Sequence, residues 1–159
     1  MKLASLLTPD QVILDLKAEI CVEAIEGILD HLIGKALLPE NMRDEVFAAL
    51  REREQQISTG IGYGVAIPHA FSESIDHVIA CFARSKNGVE FESIDHAPVN
   101  FIVLFIVPKK DYNMHLQTLA AIAKMFNNCE VRQRLAEAIS VEEVLDIFAS
   151  RPSRTHCEQ

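Results

Sequence analysis

The chain has no run of basic residues. Its fifteen Lys and Arg are scattered among twenty-three Asp and Glu, giving a formal net charge of −8, which excludes nucleic-acid binding through a broad cationic face. A long apolar run is missing too. The longest, Phe101 to Val107, falls far short of the ~20 residues that span a bilayer. The opening Met1-Lys2-Leu3-Ala4-Ser5-Leu6-Leu7 is interrupted by Thr8-Pro9-Asp10 too soon for a secretory signal, so a cytoplasmic location is expected. Cys21, Cys81, Cys129 and Cys157 form no Cys-x-x-Cys pair. Three of them lie in apolar patterns and read as buried or half-buried thiols, and neither zinc nor disulfides are suggested.

What is present is an ordinary globular composition, 49% hydrophobic and 24% charged, of a size for one core. One domain is expected over residues 1–150, with a polar tail over 151–159. Val12 to Leu16 reads as a first strand. Apolar residues at Ile20, Cys21, Ala24, Ile25, Ile28, Leu29 and Leu32 make the stripe of a helix from about Glu19. Pro39 opens a second helix that runs to about Arg53. His77 to Ala83 and the nearly unbroken apolar Val99 to Val107 read as core strands, with Asn87-Gly88 as a turn between them. A third helix starts at His115 and turns Leu116, Leu119, Ala120, Ala123 and Phe126 inward. Glu130 to Ile139 reads as a fourth, and Ser140-x-x-Glu143 caps a last one. The alternation predicts a three-layer α/β domain, a mixed β-sheet flanked by helices on both faces.

One stretch stands out. Ser58 to Ala70, Ser-Thr-Gly-Ile-Gly-Tyr-Gly-Val-Ala-Ile-Pro-His-Ala, places three of the six glycines at alternate positions and ends in Pro-His. Gly60, Gly62 and Gly64 suggest a chain bending tightly around something small. Val65 to Ile67 reads as a short buried strand; Pro68 offers no N–H, so the ladder is expected to stop there and His69 to emerge at the strand's exit. Val65 and Ala66 stand where a Walker loop needs Lys and Ser or Thr, and the glycine spacing is wrong for a dinucleotide fingerprint.

Arg53-Glu54, Ser58-Thr59-Gly60-Ile61-Gly62 and Gly64-Val65-Ala66-Ile67-Pro68-His69 closely resemble the signature of fructose/mannitol-type enzyme IIA components of the bacterial phosphoenolpyruvate-dependent phosphotransferase system. Ile94-Asp95-x-x-Pro98-Val99, the strand ending in Val107-Pro108, and His115-Leu116-x-x-Leu119 resemble later blocks, so the similarity covers about Leu6 to Phe148. It implies a mannitol-type enzyme IIA-like fold, with His69 as the phosphorylated nucleophile and His115 and Arg53 as phosphoryl ligands beside it. Thr59, Gly60, Gly62 and Gly64 would support the phosphate loop, and Tyr63, Phe71 and Met114 are candidate rim contacts. Ile57, Tyr63 and His96-Ala97 depart from the family's usual residues, but none removes a proposed ligand.

Histidine suits a phosphoryl relay because one ring nitrogen is a nucleophile near neutral pH while the other is oriented by a hydrogen bond. No cofactor or metal is expected. The resemblance implies an HPr-like donor. With no transporter or IIB-like segment, it leans toward the nitrogen-type regulators, which act through phosphorylation-dependent protein binding. Alternatives are a sugar-transport IIA subunit passing phosphate to a IIB protein, or a binding module that is not phosphorylated. A hydrolase using Ser58 or Ser72 with His69 and Asp95 lacks a nucleophile elbow.

Overall fold

The computed structural model describes residues 3–56, 58–91 and 96–150. Along the chain come α1 (Leu3–Leu6), β1 (Val12–Ile13), α2 (Cys21–Gly34), α3 (Arg43–Gln56), β2 (Gly60–Gly62), β3 (Val65–Ala66) and β4 (His69–Ser72). Then follow β5 (Ile79–Val89), β6 (Val99–Pro108), α4 (Tyr112–Phe126), α5 (Cys129–Glu137) and α6 (Val141–Ala149).

The sheet is built on β6. It pairs antiparallel with β5 from Ile79↔Ile106 to Val89↔Val99 on one side, and parallel with β3 and then β4 on the other. The sheet order is β1-β5-β6-β3-β2, with β4 also paired to β6. Successive side chains of a strand point to opposite faces. Ile102, Leu104 and Ile106 therefore pack under α2 and α3 with Ile28, Leu32 and Leu50, while Val103, Phe105 and Val107 meet Ile122, Phe126, Leu135 and Phe148 from the helices opposite. This is the expected three-layer arrangement. It also explains why the sequence of β6 is apolar at nearly every position.

Three expectations change. The first strand ends at Ile13 rather than Leu16; beyond it the Leu14 carbonyl accepts from Arg84 Nε at 3.0 Å, while Leu16 N–H still donates to the Arg84 carbonyl at 2.9 Å. Asn87-Gly88 is no turn between strands but lies inside β5, where the pairing register shifts. Gly88 has φ +85°, and a Cβ there would stand 2.6 Å from Pro98 Cβ, so the site accepts only glycine. Cys21 and Cys81 are free thiols, but Cys129 carries a disulfide, against the reading of it as a thiol. Cys157 lies outside the described residues.

The helix ends follow local chemistry. Glu23 accepts from the Glu19 and Ile20 N–H groups at the start of α2. Asn128 caps α5 through Glu130 and Val131 N–H, and Ser140 caps α6 through Glu143 N–H at 3.1 Å. Glu143 answers with the Ile139 N–H, one residue before the expected partner. Helix α5 stops at Glu137, short of Ile139, where buried Arg84 gathers the carbonyls of Leu135 and Ala138 at 2.8 and 2.6 Å. This guanidinium ties β5 to the loop after β1 and the end of α5. Arg84→Ala is expected to cost about 3 kcal/mol in urea denaturation, because several buried carbonyls lose their donor at once; a loss below about 1 kcal/mol would show that water or a neighbour replaces it.

Candidate functional site

A two-residue break at Ile67-Pro68 separates the strand before the site from the strand that carries it. β3 runs beside β6 with Val65↔Phe101 and Ala66↔Ile102, pairing lapses across Ile67-Pro68, and it resumes at His69↔Phe105. The ladder was expected to end before His69; His69 instead begins β4. Pro68 has no N–H to give, yet its carbonyl still accepts from Phe105 N–H at 2.9 Å, which keeps the two segments in line. His69 lies two residues from Ile67 and from Phe71, so its side chain shares their face, toward α4.

The glycines form a hairpin rather than a cradle. β2 pairs antiparallel with β3, and the connection has φ +58° at Tyr63 and +74° at Gly64, following +93° at Gly62. Positive φ at both central residues is what a type I′ turn requires. Gly64 is held closely, since its carbonyl accepts from Asn100 and Phe101 N–H at 2.8 and 2.9 Å. Gly60 N–H is engaged by Ser58 Oγ at 3.1 Å.

His69 is oriented by its own strand. Nδ1 lies 2.9 Å from the Ile67 carbonyl; a carbonyl only accepts, so Nδ1 carries the proton and Nε2 keeps its lone pair. Burial holds the imidazole below its ordinary pKa, the Ile67 bond opposes this, and the Arg53 charge reinforces it. His115, 4% exposed in the first turn of α4, has its ring centroid 5.4 Å from that of His69. Phe71 and Phe105 meet it edge-on at 5.5 and 5.1 Å. Burial, with the nearby His69, pushes its pKa down to about 4, and its Nε2 is buried without a hydrogen-bond partner. Such an orphan is costly unless something arrives to satisfy it.

The structure thus brings His69 and His115 together, with Arg53, half-buried near the end of α3, in electrostatic reach of His69. Thr59 is close in sequence but committed elsewhere: its hydroxyl and its N–H both donate to Glu54. Ser58 Oγ donates to the Phe91 carbonyl and Ser72 Oγ reaches toward Glu45, so neither is bonded to His69. Asp95 and Ile57 lie outside the described residues.

Around the histidines lie Phe71, Tyr112, Met114 and Leu116. Met114, next to His115, is half exposed; Tyr63 is half exposed too, but on the β2–β3 turn at the Asn100 end of β6, away from the His69↔Phe105 pairing. Phe71 is instead wedged among His69, His115 and Tyr112. The inward face of α4 is shifted: Phe126 is buried and Leu119 packs partly against the core as expected, but His115, Thr118 and Ile122 are buried with them and Leu116 is 48% exposed. The helix carries two apolar stripes, and packing of Ile122 and Phe126 into the core chooses the one bearing His115. Tyr63 also lies under the Arg132 guanidinium, 4.5 Å from its ring centre.

Long-range proton–nitrogen NMR of the imidazoles checks this electrostatic picture. At neutral pH His69 should be neutral in the Nδ1–H form, and His115 should titrate near pH 4. An Nε2–H tautomer at His69, or a His115 midpoint near its ordinary 6.5, would contradict it.

Residues 5–151 match the family model of the phosphoenolpyruvate-dependent sugar phosphotransferase system, EIIA 2. The chain is 35% identical over 126 residues to the fructose-specific EIIA component of Haloferax volcanii, covering 79% of this chain and 80% of that one. It is 30% identical over 155 residues to a nitrogen regulatory protein of Bradyrhizobium diazoefficiens, covering 96% and 98%. The crystal structure of the nitrogen regulatory protein IIA-Ntr from Neisseria meningitidis superposes with a TM-score of 0.83 at 30% identity, over 91% of this chain and 97% of that one. That of IIA mannitol from Escherichia coli gives 0.74 at 23% identity, over 89% and 98%, and speaks for the fold alone. With a family model spanning nearly its whole length and relatives of both regulatory and sugar-specific kinds, this chain belongs to the type 2 enzyme IIA family of the phosphotransferase system.

Proposed function

We propose that the chain is a phosphocarrier that accepts a phosphoryl group on His69 Nε2 from an HPr-like donor. The observation that carries this reading is the pair of imidazoles: one nitrogen of His69 is satisfied and the other left nucleophilic, 5.4 Å between ring centres from a histidine whose buried nitrogen has no partner. In the transfer, the donor's N–P bond breaks as the His69 Nε2 lone pair forms a new one. The donor nitrogen recovers its lone pair, and His69 keeps its Nδ1 proton.

The arriving group brings up to about two negative charges. His115, with a pKa of about 4, is neutral at neutral pH, so it acts first as an N–H donor to a phosphoryl oxygen rather than as a standing cation. Arg53 supplies the permanent positive charge. The dianion then favours His115 protonation and draws the two closer. The glycine hairpin supports the site by its shape. Transfer between histidines on docked proteins needs no metal, and the exposed Met114 and Leu116 beside His115 offer the docking partner an apolar surface.

Downstream, the reading is a nitrogen-type regulator that binds target proteins according to its phosphorylation state. Its support is the nearly full mutual coverage with the Bradyrhizobium protein and the superposition on IIA-Ntr. The match to a fructose-specific EIIA component favours the second reading, a sugar-transport subunit that passes phosphate to a IIB protein.

Intact mass after incubation with phosphoenolpyruvate, enzyme I and an HPr-like carrier tests the carrier role. One acid-labile phosphoryl group should be gained by the wild type and not by His69→Ala. His115→Ala should slow the gain on the order of a hundredfold, as expected for a lost charge-stabilising donor. No gain with any carrier would point to a binding module that keeps the fold without the chemistry, and gain in His69→Ala would place the phosphoryl elsewhere.

A further inference from the structure

Glu54 is the least expected participant near the site. It sits in the last turn of α3, directly after Arg53, and its half-buried carboxylate accepts the Thr59 N–H at 3.1 Å and the Thr59 hydroxyl. An anion beside a guanidinium that is to receive a phosphoryl group is unfavourable unless it is committed to something else. Here it is spent on the first residue before β2. Thr59 in turn accepts the Ile67 N–H at 3.0 Å through its carbonyl, and Ile67 is the residue whose carbonyl orients His69.

A second link is electrostatic. The Arg53 charge is felt both by Glu54 and by His69. Glu54 therefore touches the His69 environment along two routes: Glu54 to Thr59 to Ile67 to His69 through hydrogen bonds, and Glu54 to Arg53 to His69 through charge.

We infer that Glu54 is a positioning residue for the His69 site, pinning the start of the glycine hairpin through Thr59 and balancing the Arg53 guanidinium beside His69. The catalytic part of this rests on the phosphocarrier reading; the geometric part stands without it. The charged and titratable groups around the assembly are Arg53 and His115 on the His69 side. On the other side Glu54 shares an open groove of about 610 Å³ with Cys21, Arg51 and Glu90. Burial raises the Glu54 pKa, while the Thr59 bonds and Arg53 oppose this.

The test compares Glu54→Gln, which keeps the size and an acceptor but removes the charge, with Glu52→Gln, which removes a charge from the exposed surface two residues before. Two readouts are taken: the pH titration of the His69 imidazole with the Thr59 amide shift by NMR, and the rate of phosphorylation by an HPr-like carrier. Glu54→Gln should lower the His69 midpoint, because one negative charge set against Arg53 is lost, and should displace the Thr59 amide. It should slow phosphorylation on the order of tenfold, the scale of a small misplacement of reacting groups. Glu52→Gln should do none of these. If Glu54→Gln fails to fold, Thr59→Val removes only the hydroxyl bond and should move the Ile67 amide, which donates to the residue-59 carbonyl, and slow transfer in the same direction, by less. A Glu54→Gln protein that matches the wild type in both NMR readouts overturns the inference, as does, in its place, a folded Thr59→Val protein whose Ile67 amide and His69 titration match the wild type. Absence of phosphorylation in the wild type itself would instead sink the carrier reading and leave the NMR comparison to decide the positioning role.

Discussion

The hydrogen bond from His69 Nδ1–H to the Ile67 carbonyl, at 2.9 Å, is the constraint on which the site depends. It exists because β2 begins too late to reach the Ile67 carbonyl. The Pro68 carbonyl accepts from Phe105 N–H on the β6 side, so the Ile67 N–H and carbonyl, one residue back, face the β2 side. There the N–H donates to the Thr59 carbonyl, but β2 starts only at Gly60, and the Ile67 carbonyl is left for the imidazole. That acceptor fixes the proton on Nδ1, and the tautomer leaves Nε2 as the nucleophile.

Everything else at the site sustains a state that is poor without a ligand. Two neutral imidazoles lie near each other in an aromatic pocket, with the pKa of each lowered by burial and one buried nitrogen unmet. A guanidinium nearby adds to the deficit of negative charge. In a chain of net charge −8, this is a local reversal. A phosphoryl group would supply the missing acceptor and the missing charge together, which is electrostatic preorganisation toward the charged state. The cost is carried by the three-layer core: β6 and its neighbours are buried on both faces, and Arg84 anchors the far end of the sheet to α5.

Much of this was legible in the sequence, for identifiable reasons. The doubly buried β6 announced itself because no polar residue interrupts Phe101 to Val107, and Ser140 and Glu143 marked a helix start because capping chemistry is local. His69, His115 and Arg53 were legible through their motif blocks, and the fold brings them together. What depended on long-range packing was not. The α4 sequence has two apolar stripes, so spacing alone could not say that Leu116 faces solvent and His115 faces the core. The glycines read as a cradle, since the pairing of β2 with β3 is a tertiary choice. Gly88 looked like a turn because the Pro98 contact that demands it comes from ten residues away. Thr59 read as a candidate phosphate ligand until the fold placed its hydroxyl on Glu54.

The central claim, that strand geometry leaves Nε2 of His69 as the nucleophile, is tested most directly by phosphorus–nitrogen coupling in the phosphorylated, nitrogen-labelled protein. The account predicts that the phosphoryl is coupled to Nε2 while Nδ1 still carries its proton toward the Ile67 carbonyl. A phosphoryl group on Nδ1, or on the imidazole of His115, would contradict it.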